Sequence, residues 1–266
     1  DAVVSPVAEF GSHTTIQAAI DAFNLSPITR PWFIAVRPGT YSENLVVDST
    51  KRYAIHGCVG ITASPWSSSF EQSGGSTLDP AVTITGPSAA SPTLSTTGGG
   101  TGQLDLVGLN ITSSGHANAV DISYMQIRMQ NVRIGSGTTR ALNLDTSASV
   151  EIYQSQIGNS LTLQSITVSA SGFLIATDTL FVGRVQMGSQ LGCRLTACTV
   201  RSNNSGANSS ALELGFGGSA HGNRTSVVNC SIQQLNAAGA GIRVHSFGDE
   251  DARGEIVGSY IYGNGG

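Results

Sequence analysis

The chain has 266 residues and a formal net charge of −4 at pH 7, and only 11% of its residues are charged. This balance gives no electrostatic basis for binding nucleic acid or an anionic membrane. No apolar run reaches the ~20 residues that a membrane-spanning helix requires. We therefore expect no nucleic-acid partner and no membrane span. The 33 glycines, with many Ser, Thr and Asn residues, favour short strands joined by tight turns.

A short amphipathic helix is predicted near the N-terminus, over residues 14–23. Ile16, Ile20 and Phe23 fall on one helical face, and Thr14 and Gln17 have the spacing of a capping box. Such a helix would cover the open first turn of a stack of strands, which otherwise presents unpaired edges. We assign residues 1–29 to an N-terminal segment that contains this capping helix.

A family resemblance rests on the helix and on the turn that follows it. The run Thr15-Ile-Gln-Ala-Ala-Ile-Asp-Ala, followed by Pro38-Gly-Thr-Tyr-Ser-Glu43, resembles the opening of pectinesterases and related proteins of the pectin-lyase-like superfamily. The match covers residues 10–48. It implies an all-β fold, a right-handed parallel β-helix with a short N-terminal capping helix, and it is less specific for activity.

Two stretches after this opening have the composition of surface loops, near residues 60–80 and 86–103. They interrupt strands such as Tyr53-Ala-Ile-His-Gly57 and Ala81-Val-Thr-Ile-Thr85. Insertions of this kind collect on the surface of a solenoid and often form its contact surface. Trp66 in the first loop is a candidate ligand-binding residue as a sugar platform or a partner anchor. The alternative is that Trp66 folds back over the strands.

A repeated strand phrase organises the chain from residue 107 onward. Its apolar anchors are Ile111, Ile134, Ile157, Leu180, Val200, Ile232 and Ile261, and the first three intervals are each 23 residues. Self-similarity at such a period indicates a solenoid, in which each turn buries its apolar row by stacking on its neighbours. The fixed frame of leucine-rich repeats is absent. We predict a parallel β-helix over residues 30–266, with the seven anchors in one inward column.

A second repeated phrase lies between the anchors and places polar residues on the outside. The outward residues are Asp121, Asn143, Thr162, Gln186, Glu213 and Arg243. Stacked turns bring such residues within about 5 Å of one another, which predicts a flat polar strip. Extended polysaccharides bind strips of this kind in the resembled superfamily. Asp121, Asn143, Gln186, Glu213 and Arg243 are therefore candidate ligand-binding residues, and a plain solvated sheet face is the alternative.

The candidate catalytic acids are weak. Thr177-Asp-Thr-Leu180 echoes a pectinesterase motif, Gln-Asp-Thr-Leu, that contains a catalytic acid, but Thr177 replaces the Gln. The family's Asp-Phe-Ile-Phe-Gly and Leu-Gly-Arg-Pro-Trp motifs are absent. We also place Asp178 in an inward register, where an ionised carboxylate needs partners. An acidic turn offers Asp249 and Asp251, which suit glycoside hydrolysis at separations of about 5–9.5 Å, calcium binding, or simple solvation.

The four cysteines, Cys58, Cys193, Cys198 and Cys230, lack the spacing of metal ligands. Cys198 and Cys230 occupy equivalent positions in successive repeats, which favours stacked buried thiols and leaves a disulfide open. We predict no metal site and no cofactor.

Two function classes remain. The first is a non-catalytic structural or adhesive β-helix on a particle or cell surface, such as a phage or virion spike, fibre or decoration protein. The second is a polysaccharide-active enzyme similar to pectinesterases, lyases or spike glycosidases. The missing esterase motifs and the 6% aromatic content favour the first, with an extracellular or virion-surface location and a possible polysaccharide ligand.

The last strand phrase ends at Ile261, and the residues after it contain no helix pattern. An uncapped last turn would expose strand edges that pair with other chains. We expect a second subunit or further residues to cover this turn. The weakly charged flanks suit a symmetric homo-oligomer, with a trimer as the plausible state, inside a larger assembly.

Overall fold

The protein consists almost entirely of short strands. The computed structural model describes residues 1–7, 11–27, 30–58, 80–113, 115–169, 172–188, 192–205, 209–214, 224–237, 239–244 and 253–263. Within these ranges it has 27 strands and one helix, α1 (Ile16–Asn24). In the same ranges, no helix combines the length and the apolarity needed to cross a membrane.

The strands are numbered in chain order. The first nine are β1 (Ala2–Val4), β2 (Trp32–Val36), β3 (Gly39–Ser42), β4 (Leu45–Asp48), β5 (Arg52–Gly57), β6 (Val82–Thr85), β7 (Leu94–Thr97), β8 (Gly102–Val107) and β9 (Leu109–Thr112). The next nine are β10 (Asn118–Ser123), β11 (Met125–Gln130), β12 (Arg133–Ile134), β13 (Arg140–Asp145), β14 (Ser149–Tyr153), β15 (Gln156–Ile157), β16 (Gln164–Val168), β17 (Leu174–Thr177) and β18 (Leu180–Val182). The last nine are β19 (Arg184–Met187), β20 (Cys193–Thr196), β21 (Thr199–Ser202), β22 (Ser210–Leu214), β23 (Arg224–Val228), β24 (Ser231–Gln234), β25 (Ala240–Val244), β26 (Arg253–Val257) and β27 (Tyr260–Gly263).

These strands form three long sheets. Sheet A has the order β1-β2-β5-β8-β11-β14-β17-β20-β23-β26, sheet B the order β3-β6-β9-β12-β15-β18-β21-β24-β27, and sheet C the order β4-β7-β10-β13-β16-β19-β22-β25. Neighbouring strands pair in parallel, as in β8 with β11, β9 with β12 and β10 with β13. The chain passes through sheets A, B and C in turn and then starts the next coil. This confirms the predicted parallel β-helix, which is right-handed like nearly all parallel crossovers.

The inward column of sheet B follows the predicted anchors with one exception. It contains Ile84, Ile111, Ile134, Ile157, Phe181, Val200, Ile232 and Ile261. Ile157 pairs with Phe181, so the interval is 24 residues at this coil, and the prediction for Leu180 was wrong. Leu180 is only partly buried, whereas Phe181 is fully buried.

The bend from sheet A to sheet B explains this shift. One residue with positive φ turns the chain in each coil: Gly108, Asn131, Gln154, Asp178, Ala197, Asn229 and Gly258. The residue after it points inward, as the buried Ser155, Thr179 and Cys198 show. The inward register predicted for Asp178 was therefore wrong, because Thr179 occupies that position and Asp178 is exposed.

Helix α1 covers the first coil, as predicted. It buries Ile16, Ala19, Ile20 and Phe23. The cap differs from the predicted capping box: Thr15 is the N-cap and accepts from the Ala18 amide. Glu43, far away in the sequence, accepts from the amides of Ile16 and Gln17 at 2.9 and 2.8 Å. A carboxylate at this position satisfies free amides and complements the positive end of the helix.

Strands β1 and β7 lie in segments that the sequence analysis did not assign to strands. β1 pairs with β2, Ala2 opposite Ile34, so the segment predicted to contain the capping helix also adds a strand to sheet A. β7 lies inside the predicted loop of residues 86–103 and pairs with β4, Leu45 opposite Leu94. Leu94 is the single apolar residue of that strand, which hides the alternation. Residues 60–79 of the other predicted loop lie outside the described residues.

The last described coil differs from the others in exposure. Ile256, Val257 and Tyr260 are 51%, 53% and 62% exposed, and Ile261 is 43% exposed. Equivalent residues one coil earlier, such as Ile232 and Val227, are fully buried. In the described part of the chain, no strand stacks on these residues from the outer side.

Candidate functional site

The outer face of sheet C carries a row of aligned side chains, which we call the polar row. Its members are Ser95, Asp121, Asn143, Thr167, Gln186, Glu213 and Arg243, each paired in register with the next. Every predicted ligand-binding residue except Trp66 is in this row. Thr162 is not, because it lies in a turn and β16 begins only at Gln164. Thr167 occupies the position predicted for Thr162.

Side chains three residues upstream support the row in successive coils. The Asn118 amide donates to Asp121 Oδ2 at 2.8 Å, and Arg140 donates to Asn143 Oδ1 at 2.7 Å. The coils are linked to each other as well, since Asn143 Nδ2 donates to Asp121 Oδ1 at 2.9 Å. Both carboxylate oxygens of Asp121 therefore accept hydrogen bonds, which holds the side chain in one position.

The next coil contains the same kind of side-chain hydrogen bond. Thr167 Oγ1 donates to Gln164 Oε1 at 2.9 Å, again from one column to the column three residues upstream. Asn118, Arg140 and Gln164 form that upstream column in register. Arg184 pairs with Gln164 but lies only two residues before Gln186, because the register shifts between Gln164 and Ile166. Asp121, Asn143, Thr167, Arg140 and Gln164 are partly exposed. These side chains form an accessible surface rich in both donors and acceptors.

The polar row is less exposed in its C-terminal part. Gln186 and Glu213 point away from the core between inward neighbours, yet each is only 3% exposed. Arg184 forms an ion pair with Glu213 at 2.8 Å, and Gln186 donates to the same carboxylate oxygen at 2.9 Å. The prediction of a solvent-facing strip was therefore wrong for these two residues, which are buried. Arg243 is partly exposed.

The two carboxylates of the row are too far apart to act as an acid pair. Strands β13, β16 and β19 lie between Asp121 and Glu213. Four strand spacings place their backbones about 19 Å apart, whereas glycosidases hold their carboxyl groups about 5–9.5 Å apart. The row is better suited to hydrogen bonding than to paired acid chemistry.

The other predicted acids do not join this surface. Asp178 lies at the exposed bend between sheets A and B, on the side of the coil away from sheet C. Asp249 and Asp251 lie outside the described residues, as does Trp66. Among the residues that the structure describes, no three His, Cys, Asp or Glu side chains are grouped closely enough to hold a metal ion.

The buried thiols occupy the core. Cys193, Cys198 and Cys230 are free and buried, and Cys58 is half-buried. Burial raises the pKa of Cys193 to about 12. Hydrogen bonding to Cys230, together with burial, raises the pKa of Cys198, and the same hydrogen bond lowers the pKa of Cys230 to about 7.

Sequence reasoning missed the outer face of sheet A. Two cavities lie there, of about 770 Å³ and 380 Å³, and Phe173 lines both. The larger is also lined by Ile175, Arg194 and Glu255, and the smaller by Arg128 and Glu151. The alternating polar residues of β11, Gln126, Arg128 and Gln130, indicate this outer face in the sequence. Phe173, in contrast, precedes its strand and has no equivalent in the repeated phrases.

The comparisons with known proteins agree on the fold. No protein-family model matches the sequence, and a search of curated proteins finds no match. Among solved structures, the pectin methylesterase of Aspergillus niger in deglycosylated form is similar over 98% of this chain and 84% of that chain, with 17% identity and a TM-score of 0.59. YbhC of Escherichia coli is similar over 98% and 84%, with 15% identity and a TM-score of 0.58.

These likenesses establish the architecture. The chain has a right-handed parallel β-helix fold like that of these two structures, as the resemblance of its N-terminal segment predicted. At such identities the likeness carries the fold and not the activity.

Proposed function

We propose that this protein recognises an extended polysaccharide along the polar row of sheet C. The observation that carries the proposal is the continuous, hydrogen-bonded set of side chains at Asp121, Asn143 and Thr167, supported by Arg140 and Gln164. The carbohydrate-related fold gives it independent support, because the similar Aspergillus niger protein is a pectin methylesterase.

The geometry of the row suits a linear polymer. Strands of one sheet are about 4.8 Å apart, which is similar to the length of one sugar unit in an extended chain. A polysaccharide lying along the coil axis would therefore present one unit to each coil. Each coil from β10 to β16 offers an equivalent pair of side chains, which repeats the same contact along the polymer.

The chemistry of the row suits sugar hydroxyl groups. A hydroxyl both donates and accepts, and Asp121, Asn143 and Gln164 together provide carboxylate, amide and carbonyl groups. Their mutual hydrogen bonds fix their rotamers before a ligand arrives, and such preorganisation lowers the entropic cost of binding. Extended polysaccharides occur outside cells, so we also propose an extracellular location for this protein.

The test is polysaccharide binding by variants of the exposed part of the row. Affinity electrophoresis in gels containing polygalacturonate, methyl-esterified pectin or dextran compares the protein with Asp121→Ala/Asn143→Ala. Arg201→Ala, on the exposed face of sheet B, is the matched control. We expect retardation by at least one polymer, lost in the double variant and kept in the control. Retardation that the double variant retains would exclude this face.

An enzyme acting on polysaccharide is the second candidate, and the fold of the similar structures favours it. Asp121 is the carboxylate of the row that is partly exposed, whereas Glu213 is buried against Arg184 and Gln186. Methanol release from methyl-esterified pectin, abolished in Asp121→Asn, would establish this candidate. Binding without release would restrict the function to recognition. The virion role predicted from the sequence has no comparable support.

We also propose that the protein forms a homo-oligomer, because the last described coil exposes apolar residues, namely Ile256, Val257 and Tyr260. A second subunit would cover them. Light scattering on the protein and on Ile256→Ser/Tyr260→Ser checks this, since a self-associating protein should become smaller in the variant. An unchanged monomer in both would contradict it.

A further inference from the structure

The outer face of sheet A contains a groove that the function proposed above does not use. Two cavities, of about 770 Å³ and 380 Å³, meet at Phe173. The larger extends over β17, β20, β23 and β26, and the smaller over β8, β11 and β14. Phe173 is partly exposed and lines both cavities, so its ring stands between them. An aromatic ring in this position offers a flat apolar surface for a ring-shaped ligand.

The floor of the groove is a charged ladder in strict register. Arg128 is followed on successive strands by Glu151, Ile175, Arg194, Ser226 and Glu255. Positive and negative groups therefore alternate on either side of the apolar centre formed by Ile175 and Phe173. The two charged groups at each end have opposite signs, so neither end of the groove is strongly charged overall.

Most of these polar groups are already oriented. Glu151 Oε2 accepts from the Tyr153 hydroxyl at 3.2 Å and lies 3.6 Å from Arg128 Nε. Glu255 Oε1 accepts from the Ser226 hydroxyl at 2.9 Å. Arg194 is exposed, and in the described ranges no hydrogen bond or ion pair joins its side chain to another residue. Its guanidinium donors remain available inside the larger cavity.

We propose that this groove is a second, separate carbohydrate site, which binds a short neutral oligosaccharide with one sugar ring stacked on Phe173. A sugar ring has an apolar face that packs on an aromatic ring and a rim of hydroxyl groups. Those hydroxyls accept from Arg194 and donate to Glu255 at one end, and do the same with Arg128 and Glu151 at the other. The volume of the larger cavity lies within the range of about 300–1,000 Å³ that is usual for small-ligand sites.

The alternation of charge selects a neutral ligand. A polymer with a carboxylate on each unit would place negative groups against Glu151 and Glu255 as well as against the arginines. Like charges brought together in a binding site reduce affinity. A hydroxyl group satisfies both kinds of partner, so a neutral sugar meets no repulsion at any position. The groove is therefore distinct from the polar row in both position and ligand.

The experiment is isothermal titration calorimetry of the whole chain with three neutral hexasaccharides, cellohexaose, mannohexaose and maltohexaose. Hexagalacturonate is the charged comparison. The variants are Phe173→Ala and Arg194→Ala, with Thr196→Ala as a control on the same sheet but outside both cavities. Asp121→Ala/Asn143→Ala reports separately on the polar row. Thermal unfolding of each variant checks that it is folded, and Arg194→Ala, at an exposed side chain, keeps the test valid if Phe173→Ala unfolds.

We expect at least one neutral hexasaccharide to bind, with affinity about tenfold lower in Phe173→Ala, the loss of roughly one stacking contact. Arg194→Ala should also weaken binding, whereas Thr196→Ala and the polar-row variant should not. Three outcomes overturn the proposal: no neutral hexasaccharide binds, binding is unaffected in both groove variants, or only hexagalacturonate binds in an Arg194-dependent way. Loss of binding only in the polar-row variant overturns it as well, while leaving the proposed function intact.

Discussion

Arg184 and Glu213 lie on successive coils and form an ion pair of 2.8 Å that is nearly closed off from solvent, with side chains 16% and 4% exposed. Gln186 donates to the same glutamate oxygen. The pair joins β19 to β22 outside the core, where the neighbouring coils are linked mainly through their backbones. Because an unpaired buried charge is costly, we expect the stability of the protein to depend on this contact.

Replacing one partner of the pair should destabilise the protein. We expect Arg184→Ala to lower the free energy of unfolding by about 3 kcal/mol, because it removes the guanidinium that lies 2.8 Å from the buried Glu213 carboxylate. Urea denaturation measures the loss. The double variant Arg184→Met/Glu213→Leu should recover most of it, since apolar groups of similar size carry no charge to desolvate. Arg201→Ala, an exposed arginine nearby, should change stability by less than about 0.5 kcal/mol.

The register of β18, the sixth strand of sheet B, gives a second test. Phe181 is fully buried and faces Ile157 across the coils, whereas Leu180 beside it points outward and is partly exposed. We expect Phe181→Ala to cost about 3–5 kcal/mol of unfolding free energy and Leu180→Ala to cost clearly less. Equal losses, or a larger loss for Leu180→Ala, would show that the anchor predicted from the 23-residue spacing was the right one.

The sequence predicted the architecture because the coils repeat. Ile111, Ile134 and Ile157 are equally spaced, and each follows a polar residue, so both the stacking and the inward side could be deduced. The spacing fails at Phe181 because the number of residues in each coil varies while the strand register does not. β7 was missed for a related reason: its Ser and Thr residues resemble those of a loop, and only pairing with β4 and β10 makes them a strand.

The candidate site was predicted less completely. The alternation of polar and apolar residues correctly placed Asp121, Asn143 and Glu213 in one outer row. The burial of Glu213 was not predictable, because it depends on contacts with Arg184 and Gln186 of the preceding coil, which the alternation of polar and apolar residues does not show. The groove at Phe173 was missed because its walls come from seven different strands, which no local pattern connects.

A third prediction concerns alkaline pH. The Tyr53 hydroxyl donates to Asn24 Oδ1 at 2.6 Å and accepts from the Asp48 amide at 3.1 Å. Burial raises the pKa of Tyr53 to about 12 from 10.0. A raised pKa contributes stability below the unfolded-state value, and this stability is lost as the pH rises from about 10 through about 12.

Tyr53→Phe is the matched variant for that prediction. It removes the hydroxyl but keeps the ring against Phe23, so we expect it to cost about 1–2 kcal/mol at pH 8. The difference between the two proteins should shrink between pH 10 and pH 12, as measured by urea denaturation. Tyr41, whose pKa burial also raises to about 12, is present in both proteins and cancels. A difference that stays constant with pH would show that Tyr53 ionises normally in the fold.

The last prediction concerns the reactivity of the stacked thiols. Cys198 and Cys230 lie on successive coils between the paired residues Thr196 and Val228 on one side and Thr199 and Ser231 on the other. The Cys198 amide donates to Cys230 Sγ at 3.4 Å. Cys230 is only 3% exposed, although its hydrogen bond with Cys198 lowers its pKa to about 7.

Access, and not ionisation, should therefore govern the reaction. A thiolate with this pKa would react quickly with an aromatic disulfide reagent if the reagent reached it. In Cys58→Ser, where the half-buried thiol is removed, we expect almost no reaction in the native state and a rate that rises with urea in step with unfolding. The remaining thiols, Cys193, Cys198 and Cys230, should all react in the unfolded protein. Rapid reaction of native Cys58→Ser, insensitive to urea, would place Cys230 at the surface and contradict the stacking of these coils.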